Sequence, residues 1–287
     1  MRSSIPLRPL HLAGLFLGFS TSLSAQQMHA PPPYLQIFQE DVKTGRAGAH
    51  PATEAGWPRA FAKAKIPNHY IAMTTLYGPD EAWFCAGVGS IAEIEQQNQA
   101  MEKARGLMRE LDRLSQADAV NISAHRSLLG RYHPELSNNG AEINPAEARV
   151  WEALIFKVRP GHEGDFAQAA NLYRSTVASA KANLPWATYE IMAGMPGPVF
   201  IVFIPHKTLA EIDPATGAMA AIEKAMNEET MKKFGTLFEG FNSVENLIFA
   251  VSPEMSYPVP EWVTQDPEFW GRKPTASRDA APAKPGS

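Results

Sequence analysis

Val158-Arg159-Pro160-Gly161-His162 ends an apolar stretch that starts at Trp151, and Val42-Lys43-Thr44-Gly45-Arg46 ends one that starts at Tyr34. Each is a strand running into a glycine turn, because a Gly supplies the backbone freedom needed to leave a strand for a helix. The echo continues on both sides. Tyr70 is matched with Tyr189, Gly78-Pro79 with Gly197-Pro198, and Ile91-Ala92-Glu93-Ile94-Glu95 with Leu209-Ala210-Glu211-Ile212-Asp213. Pro134-Glu135-Leu136-Ser137 is matched with Pro253-Glu254-Met255-Ser256. The separation stays between about 116 and 119 residues, so one unit has been duplicated with short insertions.

Each copy reads as strand, helix, strand, strand, helix, strand. In the second, Trp151–Val158 is a strand, and Phe166, Ala169, Ala170, Tyr173, Val177 and Ala180 form a helical apolar stripe ended by Pro185. Strands Trp186–Met192 and Val199–Ile204 flank a Gly-Pro turn, a broken helical region covers Leu209–Phe241, and Asn246–Val251 closes the unit. In the first copy the strands are Tyr34–Val42, His69–Tyr77, Glu81–Val88 and Arg126–Tyr132. Its first helical stretch, Pro51–Lys65, is interrupted by Gly56 and Pro58, and one long helix carries Ile91 through Leu114.

This split strand-helix-strand plan is ferredoxin-like. With a Val-x-x-Gly turn after the first strand and a Gly-Pro hairpin before the third, each copy resembles the dimeric α/β-barrel superfamily. That group includes antibiotic-biosynthesis monooxygenases and NIPSNAP- and EthD-like proteins. The resemblance implies an α+β protein in which two tandem βαββαβ repeats, 34–137 and 150–256, pack their antiparallel sheets as an intrachain pseudo-dimeric barrel. Alternation supports this. Trp151, Ile155, Ile201, Phe203 and Leu247, or their opposite-facing neighbours, would stay in water unless the first copy's sheet covered them.

The ends read differently. Arg2 and Arg8, the apolar run Leu12–Phe19 and the small residues at Ser24-Ala25 have the form of a signal peptide over residues 1–25, and predict an exported, periplasmic or extracellular protein. Residues 257–270 are an arm with Tyr257, Trp262, Phe269 and Trp270, expected to wrap back on the body. The tail 271–287 is rich in Pro, Ala, Lys and Ser and reads as disordered.

Without the leader, 24 basic residues face 30 acidic ones, a net charge of −6, with no basic block. Nucleic acid is therefore a poor partner, as is a membrane after signal cleavage. A small-molecule ligand is the expected partner, and a homo-oligomer is open. Cys85 is the only cysteine, so an intrachain disulfide is excluded.

Candidate chemistry rests on few residues. His69, opening a strand, and His206, just after one, are expected as polar points at the rim of an apolar sheet, where an imidazole could act as general base. Trp57, Tyr70 and Trp83 in the first copy, and Tyr173, Trp186 and Tyr189 in the second, are candidates to line a pocket for an apolar or aromatic molecule. Aromatics at strand spacing read first as core, and matching of Tyr70 with Tyr189 would favour a shared packing role. No His-x-x-x-His or Glu-x-x-His pair occurs, so no metal site and no cofactor is expected. Haem-binding proteins of this fold use a helical histidine, whereas here His162 falls at the turn. The function expected is binding of a small apolar or aromatic molecule or a partner. The alternative is a cofactor-independent monooxygenase or isomerase-like enzyme.

Overall fold

A computed structural model of the chain describes residues 31–272. The expected leader and most of the expected tail lie outside the described residues. Eight strands form one closed barrel: β1 (Tyr34–Val42), β2 (Ile71–Tyr77), β3 (Glu81–Val88), β4 (Ile122–Tyr132), β5 (Val150–Val158), β6 (Ala187–Ala193), β7 (Val199–His206) and β8 (Phe241–Val251). Their order around the barrel is β1-β3-β2-β8-β5-β7-β6-β4, with every neighbouring pair antiparallel. Each half thus has the ferredoxin-like order 4-1-3-2, and closure comes from two seams between the halves. Met73 pairs with Val251 on one seam, and Tyr132 pairs with Tyr189 on the other.

The repeated turns are equivalent. Gly45 and Gly161 have φ of 81° and 89°, a region open to glycine, and no atom crowds the place of a Cβ at either; the backbone angle is the reason for both. The Pro-Glu-x-Ser echo turns out to be a reciprocal clamp. Ser137 Oγ accepts the Thr188 N–H at 2.9 Å, and Ser256 Oγ accepts the Ala72 N–H at 2.8 Å, so each copy caps a strand start of the other. In each case the serine hydroxyl donates back four residues, to the carbonyl of His133 or Ser252.

Inside the barrel, Ile37, Trp83, Ala153, Ile155, Ile201, Phe203, Leu247 and Phe249 form the main core, as the alternation demanded. Outside, helices cover both halves. On the first lie α1 (His50–Glu54), α2 (Gly56–Ala64), α3 (Ile91–Lys103) and α4 (Leu107–Asp118); on the second, α5 (Glu163–Ser179), α6 (Gly217–Ala225) and α7 (Glu228–Phe238). None of these described helices is long and apolar enough to cross a membrane.

Several boundaries differ from the sequence reading. The long first-copy helix is two, split where Gly106 takes φ 79°. The strands expected from Arg126 and Asn246 begin at Ile122 and Phe241; the mostly exposed residues 123–125 and 242–245 are held by backbone pairing to β1 and β5. The helix expected to run to Pro185 stops at Ser179. The arm forms two short helices, α8 (Pro260–Gln265) and α9 (Pro267–Trp270); Trp270 is buried, and its indole donates to the Ala146 carbonyl at 3.0 Å. Gly271, expected in the tail, ends α9 by donating to the Pro267 carbonyl.

The Tyr70–Tyr189 match is also corrected. Strand β2 is in register with β6, so Tyr70 corresponds to Trp186 and Tyr189 to Met73. Tyr189 faces the barrel interior, whereas Tyr70 packs against the α2–α4 layer. The isolated bridges agree: Tyr70 pairs with Tyr257, and Trp186 pairs with Asn138.

Candidate functional site

The barrel is not filled throughout. At one end Leu35, Met73, Cys85, Trp151, Tyr189 and Phe203 line a cavity of about 530 Å³, with the small side chain of Ala187 among them. Pro31-Pro32, Pro145 and the segment Pro258–Trp262 cover it, so the folded-back arm supplies part of its roof. Its lining also includes the polar side chains of His69, Glu93, Gln97 and Glu261.

His69 is half-buried, stacked on Tyr257 at 4.5 Å between ring centres. Its Nδ1 lies 3.2 Å from the Tyr257 carbonyl, which can only accept; Nδ1 therefore carries the proton and Nε2 keeps its lone pair in the neutral ring. Trp151 is buried against the cavity, and its indole N–H has no partner in the protein. Burial pushes the Cys85 thiol up to about 12, so it is not a nucleophile at neutral pH.

Of the residues expected at a site, His69, Tyr70 and Tyr189 come together on this cavity. The other four aromatics do not. Trp83 is fully buried in the barrel core, Trp57 of α2 packs against Phe61 in the helix layer, and Tyr173 of α5 packs against Trp186. His206 is corrected as well: it is buried at the end of β7, facing the helix side, with Nε2 2.8 Å from Glu152 Oε1. Asn246 donates to the other Glu152 oxygen. Burial raises the Glu152 carboxyl, but these two partners more than offset it and hold the group below the usual range. His162 is exposed and bonded to Asp165, and α5, α6 and α7 carry no histidine.

A second polar cluster was missed. On the helix side of the first half, Glu40 of β1, His50 and Glu54 of α1, and Asp118 at the end of α4 bring one potential ligand atom each within 4.8 Å of one another. Desolvation raises Glu54 to about 9, with the Glu40 and Asp118 charges adding to it, and raises Glu40 to about 7. Asp118 is pulled low instead: burial opposes ionisation, but His50, Asn121 and Thr53 hydrogen bonds prevail. One signal was present in the chain: His50 and Glu54 stand one helical turn apart. Glu40 and Asp118 join them only through the fold.

No protein-family model matches the sequence, and neither does any curated protein. Among solved structures, an anthrone oxidase-like protein superposes with a TM-score of 0.51 at 11% identity, over 77% of this chain and 92% of that one. A candidate monooxygenase from Lactobacillus acidophilus NCFM gives 0.46 at 6% identity, over 77% and 94%. A mutant chlorite dismutase from Candidatus Nitrospira defluvii gives 0.47 at 8%, over 84% and 98%. At these identities the likeness concerns the fold alone: with the eight-stranded closure, this chain has the architecture of a tandem, ferredoxin-like α/β barrel.

Proposed function

We propose that the chain binds a small, largely apolar or aromatic molecule carrying a hydrogen-bond acceptor in the barrel-end cavity. The observation that carries this is the cavity itself: its volume of about 530 Å³ suits a compact organic ligand, and its wall is mostly apolar with a few polar side chains. Trp151 supplies the specificity. A buried N–H without a partner is costly, and an acceptor such as a carbonyl or phenol oxygen would satisfy it.

An enzymatic reading rests on one further feature, the free Nε2 of His69 on the lining of the same cavity. A base placed there would take a proton from a bound phenol or activated carbon acid, the step that a cofactor-independent oxygenase needs first. The barrel shared with an anthrone oxidase-like protein is compatible with this.

Thermal unfolding of the purified protein with a panel of small aromatic and carbonyl compounds tests the binding reading. A true ligand at 100 times its Kd adds about 2.7 kcal/mol of stability, and Ala187→Trp, which fills the cavity, removes that gain. No stabilisation by any compound, or an undiminished gain in Ala187→Trp, refutes it. His69→Gln should keep affinity and lose turnover if the chain is an enzyme. Export is likewise a proposal resting on residues 1–25 alone, and the N-terminus of secreted material checks it.

A further inference from the structure

We propose that Glu40, His50 and Glu54 bind a divalent first-row transition ion, with Asp118 orienting His50 from the far side of its ring. This is independent of the barrel cavity, since the cluster sits on the helix side of the sheet.

The argument starts from His50. It is 1% exposed, and its Nε2 has no hydrogen-bond partner although it faces Glu40 Oε2 at 3.5 Å. Glu40 Oε2 is itself buried and unpartnered. Two buried polar atoms left facing each other without a bond leave a place for a third body that accepts lone pairs from both. The other ring nitrogen is already committed: Nδ1 lies 3.1 Å from both Asp118 oxygens. Asp118 in turn accepts from Asn121 at 2.9 Å and from the Thr53 hydroxyl. A carboxylate that holds Nδ1–H and leaves Nε2 free is the usual support behind a metal-bound imidazole. Glu54 lies one turn from His50 on the same helix, so both reach one point.

The duplicated half provides an internal control. In register with Glu40, His50, Glu54 and Asp118 stand Phe156, Phe166, Ala170 and Leu237, and these four belong to one apolar cluster. The same fold position is therefore stable with hydrocarbon alone. Burying three carboxylates and an imidazole there is not a requirement of the architecture, and a cation explains the choice. One imidazole nitrogen among carboxylate oxygens favours Mn²⁺, Fe²⁺ or Zn²⁺ over Mg²⁺ and Ca²⁺, which take all-oxygen sets.

The experiment uses the full chain, stripped with chelator and titrated with Zn²⁺ or Mn²⁺ by calorimetry, with metal content measured after desalting. One ion per chain is expected, with a melting temperature raised by about 5–10 °C at 100 times the Kd. His50→Phe, which copies the second half, and Glu54→Gln should each weaken binding by at least about tenfold, while Asp118→Asn weakens it less, as for an outer partner. Co²⁺ should give a visible ligand-field band that is lost in His50→Phe. Near-ultraviolet circular dichroism shows that each variant is folded. Failure of both ions to bind, or unchanged binding in folded His50→Phe and Glu54→Gln, overturns the proposal.

Discussion

Replacing the buried cluster wholesale should stabilise the chelator-treated protein, whereas breaking it singly should not. The perturbation is Glu40→Met, His50→Phe, Glu54→Met and Asp118→Leu together, each close in shape to the residue it replaces and each apolar, as the second half is at this place. Exchanging a buried ionic network for well-packed hydrocarbon yields about 1–4 kcal/mol, while removing one member costs about 3–5 kcal/mol because the others stay buried without it. Two features put the gain near the lower half of that range. Glu40 is 21% exposed, and Glu54, raised to about 9, is already neutral at pH 7, so part of the desolvation cost is already relieved. A gain of about 2 kcal/mol raises the melting temperature by about 4–8 °C in a chain of this size, and His50→Ala alone lowers it by about 8–16 °C. Differential scanning calorimetry in chelator at pH 7 reads both. A quadruple variant less stable than the wild type would refute the reasoning, for the cluster would then be holding the fold; a harmless His50→Ala would refute the cost assigned to breaking it singly.

Other outcomes follow from the same contacts. Ser137→Ala and Ser256→Ala should each cost about 1–3 kcal/mol in urea unfolding, because each strands a buried N–H, of Thr188 or Ala72; near-neutral values would show that the clamp is ornamental. Cys85 should resist thiol reagents at pH 8 in the native state and react on unfolding, since burial holds its thiol near 12 although it borders the cavity. Glu152 has a folded pKa below its unfolded value, so its contribution is present above the unfolded carboxylate range and fades as pH falls through the folded value; Glu152→Gln should flatten the acid side of the stability profile, and an unchanged profile would count against the His206 and Asn246 pairing.

How far the chain could be read varied with the kind of force involved. Strands β1 and β3 were legible to the residue, because apolar alternation and flanking turns act locally. The first halves of β4 and β8 were hidden, since most of their side chains are polar or exposed and backbone pairing holds them in the sheet. Tyr70 and Tyr189 were mismatched because residue identity was followed rather than strand register. At the site, His69 and Tyr189 could be named, but their meeting with Trp151 around a void depends on how Ala187 packs, which periodicity does not encode. The polar cluster draws on three elements, and only its His50–Glu54 pair shares a helix.

Covalent joining of the halves has a consequence for how such a barrel can diversify. In a symmetric homodimer every codon is expressed twice, so a costly buried charge group must appear on both sides of the axis or on neither. Here one gene writes each side separately. The C-terminal module keeps its phenylalanines and carries the burden of cohesion, and the N-terminal module is free to accept His50 and its carboxylates once, at half the energetic penalty a twofold assembly would bear.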